Sequence, residues 1–116
     1  MKRVEYKSVE LEPVSGPEAK GAGIRWLISA KDGAPNFAMR MIEIEPGGYS
    51  PHHLHPGEHE VFVWRGSGEL RLEGETFPLA PGIVAYVPPE IKHQFVNTSQ
   101  KEKLEFICVI PILKND

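Results

Sequence analysis

The chain has 116 residues, a length typical of one domain with one hydrophobic core. Its formal net charge of −3 and its lack of a basic run argue against a nucleic-acid partner. No apolar stretch approaches the roughly 20 residues of a membrane-spanning helix, and no apolar segment follows the charged start, so we expect neither a membrane partner nor a secretory signal. A single cysteine, Cys108, leaves no internal disulfide, and a cytoplasmic protein is the default expectation.

The 11 prolines and 11 glycines are spread along the chain as punctuation between short apolar segments. β-branched and aromatic residues fill the intervals, which is typical of strands separated by turns. Residues 1–8 are predicted as an edge strand or an arm, and residues 9–22 as irregular. Further strands are predicted over 24–28, 37–44, 58–64, 69–72, 75–79, 83–87, 92–96 and 103–110, with a short extended piece over 51–55. No segment shows helical periodicity with caps.

So many short strands predict an all-β fold, either a closed barrel or a two-sheet sandwich, because an open sheet would leave its edges exposed. Alternation within 103–110 places Phe106 and Cys108 on the interior face. Within 58–64, Phe62 and Trp64 point outward, on the face opposite to His59. Large outward apolar surfaces often mark subunit contacts. A homodimer is therefore predicted.

Histidines are concentrated in one short segment. Four of the five lie between positions 52 and 59, and the fifth is His93. Imidazole is the commonest metal ligand in proteins. Alternate side chains of an extended segment point the same way, so His53 and His55 project to one face and His52 to the other. A Pro-Gly pair after His55 allows the chain to turn, so that His59 returns toward the same point.

Four of these histidines belong to two sequence motifs with defined spacing. The first runs from Gly47 to Gly66 as G-x5-H-x-H-x3-H-x6-G, and the second from Gly82 to Asn97 as G-x5-P-x-E-x2-H-x3-N. Together they resemble the two motifs of the cupin family, over about residues 36–110. The stretches APNFAMR and HxHPxEHE are similar to small manganese-binding bacterial and archaeal cupins with a four-histidine site.

The resemblance implies a double-stranded β-helix, or jelly-roll barrel, as a single cupin domain over residues 1–116. Its core covers residues 36–110, and residues 1–35 supply N-terminal strands or an arm. The resemblance also implies one divalent metal ion, with manganese favoured and iron, zinc, nickel and copper as alternatives. The implied metal ligands are His53, His55, His59 and His93.

The chain departs from the family pattern at two positions. His59 stands where the family usually has glutamate, and Glu90 stands where it has glycine. Four neutral imidazoles would leave the ion its full charge and strengthen it as a Lewis acid. The resemblance implies six-coordination with two adjacent open positions, whereas four histidines alone would suit a closed tetrahedral zinc site.

Three further residues are candidates for the pocket beside the metal. Arg40 lies in an apolar stretch and needs a partner, and an internal pair with a glutamate is favoured over contact with a substrate carboxylate. Cys108 is either a small buried hydrophobe or a pocket-lining thiol. Phe106 shares its face and either walls the pocket or packs in the core. No catalytic residue is assigned from the sequence.

The leading functional hypothesis is a metal-dependent oxidoreductase of the dioxygenase type, acting on a small organic molecule. The first alternative is an enzyme without redox chemistry, such as an isomerase or a cyclase, in which the metal acts as a Lewis acid. The second is a non-catalytic module that binds a metal or a small ligand. A fold of this kind hosts many chemistries, so the site itself must discriminate among them.

Overall fold

Nearly all the regular structure in the chain is β-strand. The computed structural model describes residues 1–14, 16 and 18–113. Its nine strands are β1 (Leu11–Pro13), β2 (Lys20–Ile28), β3 (Phe37–Tyr49), β4 (His59–Arg65), β5 (Gly68–Leu72), β6 (Glu75–Leu79), β7 (Val84–Val87), β8 (His93–Val96) and β9 (Leu104–Pro111). Two single 3-10 turns, Tyr6–Ser8 and Ala30–Asp32, accompany them. Within the described ranges, no helix has the length and apolar character needed to cross a membrane.

The strands form one curled antiparallel sheet that is organised around β3. The strand order is β6-β5-β8-β3-β9-β4-β7, with β2 paired to β3 and β1 paired to β2. The long β3 pairs with β9 along Phe37–Ile44 and meets β8 only at its last residue, Tyr49. Gly47 lies between these two stretches with a φ of 72°, a left-handed conformation that glycine adopts without strain. β3 therefore carries two arms, β9-β4-β7 and β8-β5-β6.

The two arms pack against each other to form the hydrophobic core. The rings of Phe95 on β8 and Phe106 on β9 lie 4.5 Å apart between centroids. The core also takes side chains from β3 and from both arms, namely Ile42, Ile44, Val61, Val63, Leu70, Leu79, Val87 and Leu104. This double-layered, curled sheet is the jelly-roll barrel that the sequence predicted, and that prediction is confirmed.

Strand β9 presents the face that alternation predicted to the interior. Leu104, Phe106 and Cys108 are at most 1% exposed, whereas Ile107 lies on the half-buried opposite face. Glu105 belongs to that opposite face but is also buried. The reason is local, because the N-terminal segment covers it and the Tyr6 hydroxyl donates to Glu105 Oε1 at 3.3 Å.

The N-terminal region differs from the prediction in part. Of the two alternatives for residues 1–8, the edge strand does not form, and the segment is an arm that holds the 3-10 turn Tyr6–Ser8. The irregular assignment of residues 9–22 is also wrong in part, because β1 lies within it and β2 begins at Lys20. β1 has only three residues, which is too short to show a period-two pattern. It also ends in a proline, which an edge strand tolerates but which normally argues against a strand. Arg25 holds the arm in place by donating hydrogen bonds to the main-chain oxygens of Lys7 and Val9.

Candidate metal centre

The two histidine segments are joined through their backbones at one end of the barrel. The His53 N–H donates to the His93 oxygen at 3.2 Å, and the His93 N–H donates to the His53 oxygen at 3.0 Å. The Glu90 N–H donates to the His55 oxygen at 2.7 Å. His59 and His93 are also the first residues of β4 and β8. Because strand ends and main-chain bonds hold these positions, the side chains are brought together by the fold.

Three of the four predicted ligands converge on one point. A ring nitrogen from each of His55, His59 and His93 lies within 4.8 Å of the other two. The ring of His53 stands beside this group, 4.1 Å from the His55 ring and 6.1 Å from the His93 ring between centroids. His52 is exposed, as strand parity predicted. His53 as the fourth ligand stays a prediction.

Neighbouring groups orient two of the imidazoles. The His93 Nδ1–H donates to the Ile91 oxygen at 2.8 Å, which leaves Nε2 with its lone pair. His59 Nδ1 lies 3.2 Å from the Sγ atom of Cys108. When His59 Nε2 is a ligand, Nδ1 carries the proton and its N–H donates a hydrogen bond to this sulfur. Cys108 thus contacts His59 at the ring nitrogen that is not the ligand. Burial raises the pKa of the Cys108 thiol.

The protonation states suit a metal ion. Burial is the main cause that lowers the pKa of His55 to about 4 and that of His59 to about 3. Burial also lowers the pKa of His93. At neutral pH all three rings are therefore neutral, and each has a lone pair to donate. A group of neutral imidazoles without a bridging carboxylate fits a divalent transition metal.

Two small cavities flank the histidines. The first has a volume of about 190 Å³ and is bordered by all four predicted ligands and by apolar side chains such as Ile42 and Phe95. The second has a volume of about 160 Å³ and is bordered by His55, His59, Glu58 and the apolar end of β9. Arg40 borders both. Bound molecules therefore have room on two sides of the candidate centre.

Arg40 does not form the internal pair with a glutamate that the sequence favoured, and that expectation is wrong. Among the described residues, no ion pair includes Arg40. Its Nη2 instead lies 3.0 Å from Cys108 Sγ and 3.4 Å from His59 Nδ1. Glu43, a buried glutamate of the same strand, pairs with Arg25 and Lys103 on the other face of β3.

The structure also separates the other pocket candidates. Phe106 is 1% exposed and packs on Phe95 in the core. Cys108 is equally buried, and its sulfur contacts the ring of His59, one of the converging histidines. Sequence reasoning missed Trp26, whose ring lies 5.5 Å from the Arg40 guanidinium carbon. The signal for it was its register opposite Arg40 on the neighbouring strand, which becomes visible only when β2 and β3 are paired.

Comparisons with known proteins agree with this fold. A family model described as "Cupin domain" matches residues 40–110, which is more than half of the chain. The solved structure of the polyketide cyclase RemF from Streptomyces resistomycificus is 36% identical, with a TM-score of 0.90, and the match covers 100% of this chain and 82% of that one.

Two curated proteins are also similar. Polyketide synthase CurC from Streptomyces cyaneus is 29% identical over 104 residues, which cover 88% of this chain and 68% of that protein. A glucose-6-phosphate isomerase from Thermococcus kodakarensis is 32% identical over 93 residues, which cover 70% of this chain and 49% of that protein. The matched family model spans both histidine segments. The chain therefore belongs to the cupin family.

Proposed function

We propose that the protein is a metal-dependent enzyme that closes a ring in, or isomerises, a small carbonyl compound without redox chemistry. The observation that carries this proposal is the convergence of three neutral imidazoles between two cavities. A fourth ligand, His53, would complete the set. The similarity to a polyketide cyclase and to a sugar-phosphate isomerase supports this reading over the oxidoreductase that the sequence favoured.

A divalent ion bound by the histidines would supply Lewis-acid polarisation of a carbonyl oxygen. Manganese, which the sequence resemblance favours, and zinc both serve this purpose. The chain's own contribution is a base. Glu58 is the one carboxylate among the described residues that border the two cavities. Its proposed role is to accept a proton from the carbon beside the carbonyl group, and to return it to the oxygen that becomes the new hydroxyl.

The walls of the cavities support this chemistry. Apolar side chains from three strands, Ile24, Ile42 and Phe95, border the larger cavity and limit its water content. A folded substrate held there keeps its two reacting ends close together, which lowers the entropic barrier to ring closure.

The experiment that tests this proposal is ring closure of a small diketone to a cyclic hydroxyketone, which then loses water to give a cyclohexenone that is followed by its ultraviolet absorbance. Metal-loaded protein should accelerate the reaction equally in air and under nitrogen. Glu58→Gln should reduce the rate about 100-fold or more, with metal content unchanged, because it removes the base. Glu60→Gln is the matched control, because Glu60 is an exposed glutamate two residues farther along the chain.

The second candidate is the dioxygenase-type oxidoreductase, which the cavities on both sides of the histidines favour because substrate and oxygen would each have a place. Turnover that requires air and consumes oxygen would select it. No turnover of any carbonyl compound, with metal fully bound, would favour the non-catalytic module.

The ligand set has its own test in metal content per chain. His59→Ala should lose the metal and part of the thermal stability, since a ligand held by β4 disappears. His52→Ala, an exposed neighbour, should keep both. His53→Ala should also lose metal affinity if His53 is the fourth ligand. Stoichiometric metal in His59→Ala, measured by elemental analysis, would show that the proposed ligand set is wrong.

A further inference from the structure

The guanidinium group of Arg40 lies beside the histidine cluster with its charge uncompensated by any side chain of the described ranges. β3 places Arg40 between its cross-strand neighbours Trp26 and Cys108. The Trp26 ring lies 5.5 Å from the guanidinium carbon, and Cys108 Sγ lies 3.0 Å from Nη2. An aromatic face and a thiol hold this side chain in position, but neither carries the negative charge that would neutralise it.

One donor of Arg40 is left without a partner. Nε is buried and forms no hydrogen bond within the described residues. A guanidinium presents five N–H donors in a rigid fork, and a buried charged donor without an acceptor is destabilising. No described residue therefore satisfies this donor, and an acceptor on a bound molecule would complete the site. The fork geometry favours a planar anion with two oxygens, which a carboxylate provides.

The larger cavity is the place for such an anion. Arg40 borders it together with the four histidines, and no acidic residue is among its described neighbours. Glu58 borders only the smaller cavity and does not pair with Arg40. The volume of the larger cavity is about 190 Å³, and a cavity of about 150 Å³ already accommodates benzene. A small carboxylic acid therefore fits beside the metal ligands.

We propose that Arg40 determines substrate specificity by binding a carboxylate of the substrate in this larger cavity. The carboxylate is held at one end, so the carbonyl group of the same molecule is directed to the histidine cluster. The substrate class is thus a small carbonyl compound that carries an acid group. This assignment deepens the proposed function and rests on it for the carbonyl part, whereas the binding of the carboxylate stands on Arg40 alone.

The test compares benzoate with benzamide, which has nearly the same shape and no charge, by calorimetric titration of the zinc-loaded protein. The wild-type protein should bind benzoate about 10-fold or more tightly than benzamide. Arg40→Met should lose most of this preference, and Arg40→Lys should keep part of it. Arg65→Met is the matched control, because Arg65 is exposed and borders neither cavity beside the histidines.

Metal content and melting temperature are measured for every variant, because Arg40 also contacts His59. A benzoate preference that survives in Arg40→Met at full metal content would overturn the proposal. So would a preference that disappears only in proportion to lost metal, since Arg40 would then merely position His59. If Arg40→Met does not fold, the same comparison is made with Arg40→Lys, and a full wild-type preference in that variant counts against the bidentate contact.

The outcomes separate this assignment from the proposed function. A benzoate preference that depends on Arg40, in a protein that closes no ring, would overturn the cyclase proposal and leave the carboxylate site in place. Ring closure by a protein that shows no preference for benzoate would overturn the carboxylate site and leave the cyclase proposal in place.

Discussion

At the scale of single residues, burial is what prepares the histidines for a metal. Removing an imidazole from water penalises its charged form, and this is the first cause of the lowered pKa of His55, His59 and His93. Mutual repulsion among the rings and the nearby Arg40 act in the same direction. The same burial that keeps the lone pairs available makes the metal-free site sensitive to acid.

The metal-free protein should therefore lose stability as the pH falls below about 6.5, the ordinary pKa of histidine. In the folded state His55 titrates at about 4 and His59 at about 3, so between these values and 6.5 the unfolded chain binds more protons. The contribution of these histidines is fully present above pH 6.5 and is lost as the pH falls toward 4 and then 3. Urea unfolding of protein treated with EDTA, at pH 7 and pH 5, measures the effect.

A matched pair of variants isolates these residues from the carboxylates. His59→Gln should flatten the pH dependence between pH 7 and pH 5, whereas His52→Gln, at an exposed position, should retain the wild-type slope. Equal slopes in the two variants would mean that the buried imidazoles are not the source.

At the scale of elements, the turn before β8 shows how a local conformation serves the site. Glu90 has a φ of 64°, in the left-handed region where a side chain is strained. Its N–H nevertheless donates to the His55 oxygen at 2.7 Å and ties the two histidine segments together. The cupin pattern has glycine at this position, and glycine adopts this conformation without the penalty.

Glu90→Gly should accordingly raise the free energy of unfolding by up to about 1 kcal/mol, with metal content unchanged. Glu90→Val should lower it by about 1 kcal/mol or more, because a β-branched side chain is worse at this φ. Thr76→Gly, at an exposed strand position, is the control and should lower stability by about 0.5–1 kcal/mol. Denaturant melts of the four proteins decide the matter, and a loss of stability in Glu90→Gly would contradict it.

The strands were predictable because period-two patterns and turn residues mark them directly. β4, β5, β6 and β9 fall where the sequence indicated, within a residue or two. β1 was not predictable, because three residues carry too little pattern and its place depends on pairing with β2. The clustering of the histidines was predictable from their spacing in the sequence. The partners of Arg40 did not, because Trp26, Cys108 and His59 meet it from three different strands and only the register brings them together.

At the scale of the whole molecule, one outer face of the barrel is unusually apolar. Neighbouring strands β4 and β7 expose Phe62 at 44%, Trp64 at 45%, Val84 at 72% and Tyr86 at 57%. Phe62 lies opposite Val84 in the register, so these side chains form one continuous patch. A shallow groove between Phe62, Val84 and Tyr86 extends the patch toward β9. Exposed apolar surface of this kind is expected to be covered in solution.

A second copy of the chain is the occupant that we expect on this face, as the outward Phe62 and Trp64 predicted, because an apolar patch that packs against its own copy closes into a symmetric dimer. Phe62→Glu should then shift the mass measured by light scattering from a dimer to the 13.0 kDa single chain, with the fold unchanged by circular dichroism. Phe77→Glu is a close control, since Phe77 is also 44% exposed but belongs to β6 on the other arm. A wild-type protein that already runs as a single chain would contradict the prediction, and so would a dimer that Phe62→Glu leaves intact. Because the patch lies on the outer face and the histidines border inner cavities, Phe62→Glu should keep its full metal content, so that assembly and metal binding are separable properties of the same barrel.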